Sequence, residues 1–342
     1  MDLFIPERVF FEPSSLKYPL GSKLYRIFSE SGTEIHQVSS QSFSRYIPGK
    51  SAKEKYSQSK RTLAVTTKKA TSLEVCKPSA DFQFELMANC PGSCEYCYLQ
   101  TSQGQKPFLR VFVNLEEIFD TIERHISKEE GRITSFEVAS MGDPLSLEHL
   151  TGSLAETVEF FGKLENARLR VVTKYSNVDT LSGIRHNGHT RFRFSINSRY
   201  VIDHFEHNTA SFEERLEAAK KIISAGYPAG FIVAPIMVYE GWREQYADLF
   251  DKLKSSVGGL KSIEPLTFEL IQYRFTAVSK KLILERFPNT GLDLDESARA
   301  LKWGRFGRYK YIYPKEVSSD MKSFITTLIN DNFPGSRTEY FT

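Results

Sequence analysis

The sequence predicts an α/β protein built on a partial (β/α)6 barrel of the TIM type. The chain has 342 residues, which is enough for one large α/β domain with shorter segments at its ends. Between Asp81 and Gln272, short apolar runs alternate with amphipathic stretches of helical periodicity, which indicates βαβ units and a parallel sheet. Polar residues follow several of these runs, where the mouth of such a barrel lies.

The residues before the barrel, 1–75, are predicted to form a small N-terminal α/β region. It begins with a short strand at 9–11 and a helix at 22–31, whose apolar residues share one face. The stretch 39–60 is rich in Ser, Gln and Lys, and it predicts an extended or partly mobile connection.

The barrel segment, 76–275, contains six predicted strands of the barrel and one more local strand. The six are at 82–86, 133–139, 169–173, 191–196, 231–235 and 266–272. The local strand at 108–113 leads into a helix at 115–126. Further helices are predicted at 147–164, 212–225 and 242–253.

The C-terminal extension, 276–342, departs from this alternation. Residues 302–313 are rich in aromatic side chains, contain two glycines and predict a β-hairpin. A helix is predicted at 319–329, followed by a short tail. The chain is therefore predicted to have three segments, with boundaries after residues 75 and 275.

Three of the four cysteines, Cys90, Cys94 and Cys97, lie within eight residues of a loop after the first barrel strand. Thiolates at this spacing predict a soft metal centre with one open coordination place, because the loop holds no further Cys or His. An iron–sulfur cluster with one iron open to a non-protein ligand fits better than structural zinc, which takes four protein ligands. The alternatives are a labile zinc loop and cysteines retained for packing.

Polar and small residues at the strand ends are the candidate ligand contacts. Ser140, Gly142 and Asp143 follow the strand at 133–139, although an aspartate at such a turn is also an ordinary N-cap. The candidates on the next three strands are Lys174, Ser195, Asn197 and Ala234. A strand-end lysine can pair with a carboxylate or extend into solvent.

The basic residues are unevenly distributed along the chain. The net charge of +3 is too small to imply an anionic partner, but the segment 45–69 holds eight basic residues against one acid. Such runs are usually solvated. A second basic cluster alternates with aromatic rings, a pattern typical of nucleic-acid binding. It comprises Lys302, Trp303, Arg305, Phe306, Arg308 and Lys310.

The composition also favours some settings over others. The chain is 40% hydrophobic, and it has no apolar run of membrane-spanning length and no signal-peptide pattern, so we expect no membrane partner. Four cysteines with three in one loop do not make a disulfide framework. We therefore expect a cytoplasmic protein.

The cysteine loop resembles the signature of radical S-adenosylmethionine (SAM) enzymes, in which SAM chelates the open iron of a 4Fe–4S cluster. The turn at 140–143 resembles their SAM-binding turn. From about residue 6 to residue 342, the chain resembles the spore photoproduct lyase family of this superfamily. The likeness is strongest at 94–101, 172–175, 186–197, 225–228, 230–235, 268–272, 302–305 and 339–342.

This resemblance implies a DNA-repair lyase that reverts the spore photoproduct, 5-thyminyl-5,6-dihydrothymine, to two thymines through a 5′-deoxyadenosyl radical. It implies that Tyr96 and Tyr98 help to return hydrogen to SAM, and that the hairpin holds two bases flipped out of the duplex. The implied partners are double-stranded DNA carrying a thymine photoproduct and an electron donor such as flavodoxin or ferredoxin.

Two positions depart from the family pattern. The family has a radical-quenching cysteine where this chain has Ser140, and a hairpin tyrosine where it has Phe306. Because an O–H bond is much stronger than an S–H bond, Ser140 is a poor hydrogen donor. Cys76 lies where the family more often has serine, so thiol and hydroxyl are exchanged between the two positions. Cys76 is thus either an alternative donor or a small residue of a packed segment.

Two other functions remain consistent with these residues. One is a radical SAM paralogue that acts on another DNA lesion or nucleotide. The other is a non-catalytic Fe–S protein that binds DNA. Reductive cleavage of SAM would exclude the last, and activity on a dinucleotide photoproduct would separate the repair lyase from the paralogue.

Overall fold

The structure, a computed structural model, describes residues 2–69, 73–102, 104, 106–129, 131–138, 140–304 and 309–342. The strands are β1 (Arg8–Phe11), β2 (Glu34–Gln37), β3 (Thr62–Thr66), β4 (Glu74–Val75), β5 (Phe82–Gln83), β6 (Met87–Ala88), β7 (Leu109–Phe112), β8 (Thr134–Glu137), β9 (Ala167–Thr173), β10 (Thr190–Ile196), β11 (Ala229–Ile236), β12 (Thr267–Gln272), β13 (Ala300–Trp303), β14 (Tyr309–Ile312) and β15 (Arg337–Phe341). The α-helices are α1 (Pro19–Glu30), α2 (Ala52–Lys60), α3 (Leu99–Ser102), α4 (Leu115–Ile126), α5 (Glu148–Thr151), α6 (Ser153–Gly162), α7 (Arg199–Phe205), α8 (Phe212–Ser224), α9 (Trp242–Val257), α10 (Ala277–Arg286) and α11 (Lys315–Asn332).

The chain forms two compact units, and the cysteine loop is divided between them. The first unit consists of residues 1–91 and 103–191, and the second of residues 92–102 and 192–342. The first unit holds the neighbouring strands β4, β5, β8 and β9, and the second unit holds β11, β12, β15 and most of β10. These units do not follow the boundaries after residues 75 and 275, and the division into three segments stays a prediction.

The first unit contains a separate five-stranded sheet with the order β2-β1-β3-β7-β6. Its neighbours are parallel except for β6 and β7. Apolar residues of β1, β3 and β7 pack on one face against Leu24 and Phe28 of α1. Burying one such side chain contributes about 1.5–3 kcal/mol. The strand at 108–113 is local, as expected, because it joins this sheet and not the sheet that contains β8 and β9.

The prediction of an extended connection at 39–60 is wrong. A 3-10 helix (Ser40–Arg45) and α2 occupy this stretch. Phe43 is buried and stacks on Phe10 of β1, with 5.3 Å between ring centroids. Ser51 and Glu54 form a capping box at the start of α2. The polar composition conceals this structure because few side chains of the stretch are buried.

The predicted helix at 147–164 is interrupted. The chain makes a 3-10 turn (Pro144–Leu147), then α5, and Gly152 has a φ of +70° before α6 begins. The buried Glu148 carboxylate accepts hydrogen bonds from the N–H groups of Leu154 and Ala155, at 2.8 and 3.0 Å. Burial raises the pKa of Glu148 to about 7.

The second unit is organised around the parallel strands β10, β11, β12 and β15. Arg193 of β10 and Glu269 of β12 form an ion pair of 2.6 Å that has no solvent exposure. Tyr340 of β15 donates a hydrogen bond to the same carboxylate. The expected tail is therefore a strand. The hairpin prediction is confirmed by the antiparallel pair β13 and β14.

Among the described residues, no helix combines the length and the apolar character needed to cross a membrane.

Candidate active site

The first half of the cysteine loop is fixed within the first unit by main-chain contacts and by two side chains that donate to main-chain carbonyls. Asn89 is buried and adopts the left-handed conformation, with a φ of 65°. Its N–H donates to the Met141 carbonyl at 2.7 Å, and its Nδ2 donates to the Phe108 carbonyl at 2.8 Å. The carbonyl of the next residue, Cys90, accepts from Lys60 Nζ at 2.8 Å. Hydrogen bonds therefore hold both Asn89 and the first cysteine of the loop, Cys90, in place.

Gly142 allows the predicted SAM-binding turn to approach this part of the loop. Asn89 and Gly142 form an isolated parallel bridge. A Cβ atom at position 142 would lie only 2.5 Å from the Asn89 carbonyl oxygen, which is closer than real side chains come. The close approach requires glycine, and it places the turn at 140–143 beside the residue that precedes Cys90.

The Asp143 carboxylate points to the end of β9. It accepts hydrogen bonds from the Thr173 hydroxyl at 2.9 Å and from the Lys174 N–H at 2.8 Å. The Leu145 N–H of the turn that follows also lowers the pKa of this carboxyl as a hydrogen-bond donor, so the carboxylate serves that turn as well as β9. Burial raises the pKa of Asp143 to about 6, against the lowering effect of these hydrogen bonds and of the nearby Lys174 ammonium. Two predicted SAM contacts, Asp143 and Lys174, are thus adjacent.

The two candidate hydrogen donors, Cys76 and Ser140, are both half-buried residues of the first unit. Cys76 opens a tight turn in which its carbonyl accepts from the Ala80 N–H at 3.1 Å. Ser79 in this turn donates to the Glu137 carboxylate at 2.8 Å. Glu137 ends β8, three residues before Ser140. The turn of Cys76 is therefore fastened to the strand that leads to the family's donor position.

The second half of the cysteine loop is held by side chains of the second unit. The Gln100 amide donates to the carbonyls of Cys94 and Glu95, at 2.9 and 2.6 Å. Arg286 of α10 in turn donates to both the main-chain and the side-chain oxygen of Gln100, each at 3.1 Å. The Cys97 N–H closes a turn on the Cys94 carbonyl at 3.2 Å. Cys94 is buried and Cys97 is half-buried.

Tyr96, which is half-buried, begins a hydrogen-bonded chain with the buried residues Glu206 and Arg215. Its hydroxyl donates to one oxygen of Glu206, and the other oxygen of Glu206 accepts from Arg215 Nη2 at 2.5 Å. Arg215 also donates to the Ser195 carbonyl at 3.0 Å. Burial, followed by the charge of Glu206, raises the pKa of Tyr96 well above 10, so the phenol keeps its proton. Tyr98, by contrast, is 62% exposed.

Glu95, between two of the cysteines, makes a further buried contact. Its carboxylate accepts from Thr290 and lies 2.8 Å from His207 Nε2. The N–H of Glu95 donates to the Phe205 carbonyl at 2.9 Å. Sequence reasoning does not find these partners, or Glu206 and Arg286, because they are separated from the loop by 110 to 195 residues without a shared motif.

The other strand-end candidates in the second unit differ in what their side chains do. Asn197 is fully buried, and its amide donates to the Pro235 carbonyl at 2.8 Å and accepts from the Tyr246 hydroxyl at 2.9 Å. It thereby ties together the ends of β10 and β11. Ser195 is buried, and Ala234 of β11 is half-buried.

The hairpin presents two chemically different faces. Lys302 lies directly opposite Lys310, and Trp303 lies opposite Tyr309. Trp303 and Tyr309 are 62% and 55% exposed, and their rings meet edge to face with 4.9 Å between centroids. Because successive side chains of a strand point to opposite faces, the cations and these rings are separated. The predicted contacts Arg305, Phe306 and Arg308 lie outside the described residues.

The cysteine loop is chemically suited to a multi-iron cluster. Among the described side chains, no three of His, Cys, Asp and Glu are grouped as the ligands of a single ion. A four-iron cluster takes each thiolate on a different iron, so it does not need such a group. The Cys94 carbonyl accepts a hydrogen bond from the Gln100 amide, and the Cys90 carbonyl accepts one from Lys60.

Comparison with known proteins shows the family to which this chain belongs. The spore photoproduct lyase family model matches residues 4–342. Spore photoproduct lyase of Geobacillus sp. (strain Y412MC61) is 45% identical over 342 residues, with 100% of both chains covered. That of Bacillus subtilis (strain 168) is 43% identical over 339 residues, with 99% of both covered.

A solved structure of a spore photoproduct lyase variant, with bound AdoMet and dinucleoside spore photoproduct, gives the same result. It is 46% identical to this chain, covers 100% of both chains and has a TM-score of 0.97. That variant carries alanine for cysteine at its position 140 and cysteine for serine at its position 76. The predictions of a partial barrel, a radical SAM lyase and the cofactors SAM and a 4Fe–4S cluster are confirmed. The chain belongs to the spore photoproduct lyase family.

Proposed function

We propose that this chain reverts the spore photoproduct to two thymines, with Cys90, Cys94 and Cys97 as the ligands of its 4Fe–4S cluster. The observation that carries the assignment is the bridge between Asn89 and Gly142, by which the turn proposed to bind SAM approaches the residue before Cys90. The solved relative binds both AdoMet and the dinucleoside photoproduct. When bound, SAM and the reduced cluster supply the radical chemistry that opens the bridge between the two thymines.

The test is anaerobic turnover with SAM, a reductant and ultraviolet-irradiated DNA, with the products identified by mass. We expect thymine to form as the photoproduct disappears. Replacing any one of the three loop cysteines with Ala should abolish both the cluster and SAM cleavage, whereas Cys76→Ala should keep the cluster. A cluster that requires Cys76, or SAM cleavage with no loss of photoproduct, contradicts the assignment.

The first unit supplies the groups for the methionyl part of SAM. Asp143 would hold its ammonium and Lys174 its carboxylate, while Gly142 and Ser140 would face it from the turn. With a pKa of about 6, Asp143 is ionised at neutral pH and can hold a cation. In the second unit, Ser195 and Ala234 would contact the rest of SAM. Asn197 would act by positioning the strand ends, because its amide already joins them.

We assign the missing hydrogen donor to Cys76. Its S–H bond would break to give a hydrogen atom to the thymine radical, which leaves a thiyl radical on Cys76. The O–H bond of Tyr98 or Tyr96 would then break to restore the thiol, and the tyrosyl radical left behind would take a hydrogen atom from 5′-deoxyadenosine, which would return to SAM. Support comes from the turn contact between Ser79 and Glu137, and from the solved variant, which combines loss of a thiol at position 140 with a thiol at position 76.

Product analysis on an authentic photoproduct tests this donor. The Cys76→Ala chain should still open the bridge between the thymines but give aberrant adducts in place of two thymines. Ser140→Cys in the same background should then restore clean repair. An unchanged yield of thymine from Cys76→Ala would show that the donor is another group, such as a loop tyrosine.

The hairpin is proposed to bind double-stranded DNA. Like charges directly opposite each other destabilise a sheet pair, and burial, Arg274 and Lys302 all lower the pKa of Lys310. A phosphate on this face would relieve that repulsion. Arg305 and Arg308 would add further phosphate contacts, while Trp303 and Phe306 would stack or wedge beside the flipped bases.

Salt-dependent binding separates these two roles. Lys302→Gln and Arg308→Gln should each lower the salt slope of duplex binding by about one unit. Lys281→Gln, an exposed lysine of α10, is the matched control. Phe306→Ala should instead reduce discrimination of the lesion with little change in slope. Unchanged slopes in both cation variants would move the DNA-binding face elsewhere.

The remaining partners follow from this chemistry. Cluster reduction requires a low-potential electron donor such as flavodoxin or ferredoxin. Oxygen-sensitive iron and four cysteines that form no disulfide fit the reducing cytoplasm. Reduction of the purified holoenzyme by either donor, followed by EPR, tests the first of these proposals.

A further inference from the structure

One lysine of the first basic cluster contacts the main chain of the cysteine loop. The segment 45–69 carries eight basic residues, a pattern that usually means a solvated face. Lys60, however, is half-buried, and its Nζ donates to the carbonyl oxygen of Cys90 at 2.8 Å. The same ammonium lies 5.5 Å from the centre of the buried Tyr56 ring. This cation is directed at the first cysteine of the loop.

The position of Lys60 is set by rigid structure on both sides. The helix α2 begins with the capping box of Ser51 and Glu54, in which the Glu54 N–H lies 3.1 Å from the Ser51 hydroxyl. Lys60 is the last residue of this helix. Two residues later Thr62 begins β3, which is paired on both sides in the five-stranded sheet. An ammonium fixed in this way adds a defined charge next to Cys90.

We propose that Lys60 is a positioning residue that raises the reduction potential of the cluster bound through Cys90. Reduction adds one negative charge to the cluster. A nearby fixed cation stabilises the reduced form more than the oxidised form, and charge and hydrogen bonding around the ligands set such potentials. Through Lys60, the helix α2 thereby makes the cluster easier to reduce. The inference rests on the cluster assignment in the proposed function.

The test compares four variants of the anaerobically reconstituted holoenzyme, without SAM, by EPR-monitored redox titration. Lys60→Met removes the charge and the hydrogen bond, Lys60→Gln keeps an amide donor without charge, and Lys60→Arg keeps the charge. Lys53→Gln is the matched control, because Lys53 is an exposed lysine of the same helix.

We expect Lys60→Met and Lys60→Gln to lower the ratio of reduced to oxidised cluster at a fixed potential by about three- to tenfold. At 59 mV per tenfold change, this is a midpoint shift of about 28–59 mV to more negative values. Lys60→Arg should stay near the wild-type potential, and Lys53→Gln should match the wild type. Iron content and thermal unfolding, measured for each variant, show that the chains being compared are folded and loaded.

The outcomes distinguish this inference from the proposed function. If the wild type holds the cluster and Lys60→Gln titrates like Lys53→Gln, the charge of Lys60 has no role and the inference is overturned. A shift in Lys60→Met alone also overturns it, because the hydrogen bond and not the charge would be responsible. Should Lys60→Met fail to take up iron, Lys60→Gln carries the test. A wild-type chain that assembles no cluster through the three loop cysteines overturns the proposed function and this inference together.

Discussion

The two halves of the cysteine loop are held by different kinds of interaction. Cys90 belongs to the first unit and follows a residue fixed by main-chain contacts, a left-handed Asn89 bridged to Gly142. Cys94 and Cys97 belong to the second unit, where buried side chains bind the loop: Tyr96 to Glu206, and Gln100 to Arg286. The first half depends on a backbone bridge that leaves no room for a side chain at position 142, with added hydrogen bonds from Lys60 and the Asn89 amide, whereas the second half depends on a buried ion pair.

This difference predicts how each half fails. A backbone contact is lost when a side chain is added where none fits, and the damage stays local. A buried charge network is lost when one partner is removed, because the remaining partner is left without compensation in a site of low polarity. Substitutions in the second half should therefore reduce global stability more than those in the first.

The largest expected effect comes from removing Arg215. Arg215 and Glu206 have no solvent exposure and lie 2.5 Å apart. Arg215→Met would leave Glu206 buried without its cation, so we expect the free energy of unfolding to fall by about 3–5 kcal/mol. Denaturant unfolding of the apo chain measures this loss.

The matched control is Arg199→Met. Arg199 pairs with Glu213 on the surface, where both side chains are about half exposed, at 45% and 58%. Such pairs contribute about 0–1 kcal/mol. If both variants lose the same free energy, the network around Tyr96 does not hold the second half of the loop in the way described.

Tyr96→Phe removes one hydrogen bond from the same network. Its hydroxyl donates to the Glu206 carboxylate, and a hydrogen bond to a charged group contributes about 1.5–3 kcal/mol. We expect a loss in this range from denaturant unfolding. Tyr46→Phe is the control, because Tyr46 is 46% exposed and should change stability by less than about 0.5 kcal/mol. Equal stability of the two variants would contradict the role of Tyr96 as an anchor.

The same contrast explains what the sequence could and could not predict. The helix α4 spans the predicted residues 115–126, and the strands β9 to β12 lie within a few residues of prediction, because their periodicity and apolar runs are strong. The cysteine motif and the turn at 140–143 are local, so the first half of the site could be read from spacing.

Other elements depend on contacts between distant parts of the chain. The sequence of β15 is polar and predicts only a tail. In the structure, Tyr340 donates a hydrogen bond to the buried Glu269, and the strand pairs with β12. Glu206 and Arg215 hold the loop although they lie 110 or more residues from Tyr96 in the sequence, and no motif connects them to it. Of the strand predicted at 82–86 only the first two residues form a strand, β5, and β6 has two residues, too few for periodicity to indicate it.

A smaller and more local effect is expected for Gly142→Ala. The added Cβ would lie 2.5 Å from the Asn89 carbonyl oxygen, so the bridge between the turn and the cysteine loop must open. Overpacking of this kind costs about 1–3 kcal/mol. We expect reduced iron content after reconstitution, together with this modest loss in unfolding free energy.

Gly259→Ala is the matched control, because nothing lies within 4 Å of the Cβ that would be added there. It should leave iron content and unfolding unchanged. Full iron content in Gly142→Ala would show that the backbone bridge is not required to place Cys90. Another contact would then have to hold the first half of the loop.

The last prediction concerns the pH dependence of SAM binding, which sharpens the role of Asp143 in the first unit. Burial raises the pKa of this carboxyl from 3.8 to about 6, so in the free protein it takes up a proton as the pH falls through about 6. Only the ionised form can hold an ammonium, and one proton must therefore be displaced on binding below that pH. We expect the Kd for SAM to rise about tenfold per unit of pH well below 6.

The same titration affects folding stability in the opposite direction: SAM binding weakens as the pH falls, but the apo chain becomes more stable. Because the folded-state pKa lies above the unfolded value, the ionised carboxylate destabilises the apo chain above about pH 6, and this cost disappears as the pH falls toward 4. Anaerobic equilibrium dialysis of the holoenzyme between pH 5 and 8 measures the binding arm. Asp143→Asn should bind SAM weakly and without this pH dependence, since an amide does not titrate there. An Asp143→Asn chain that keeps the wild-type pH profile would assign the titration to another group and remove Asp143 from the SAM site.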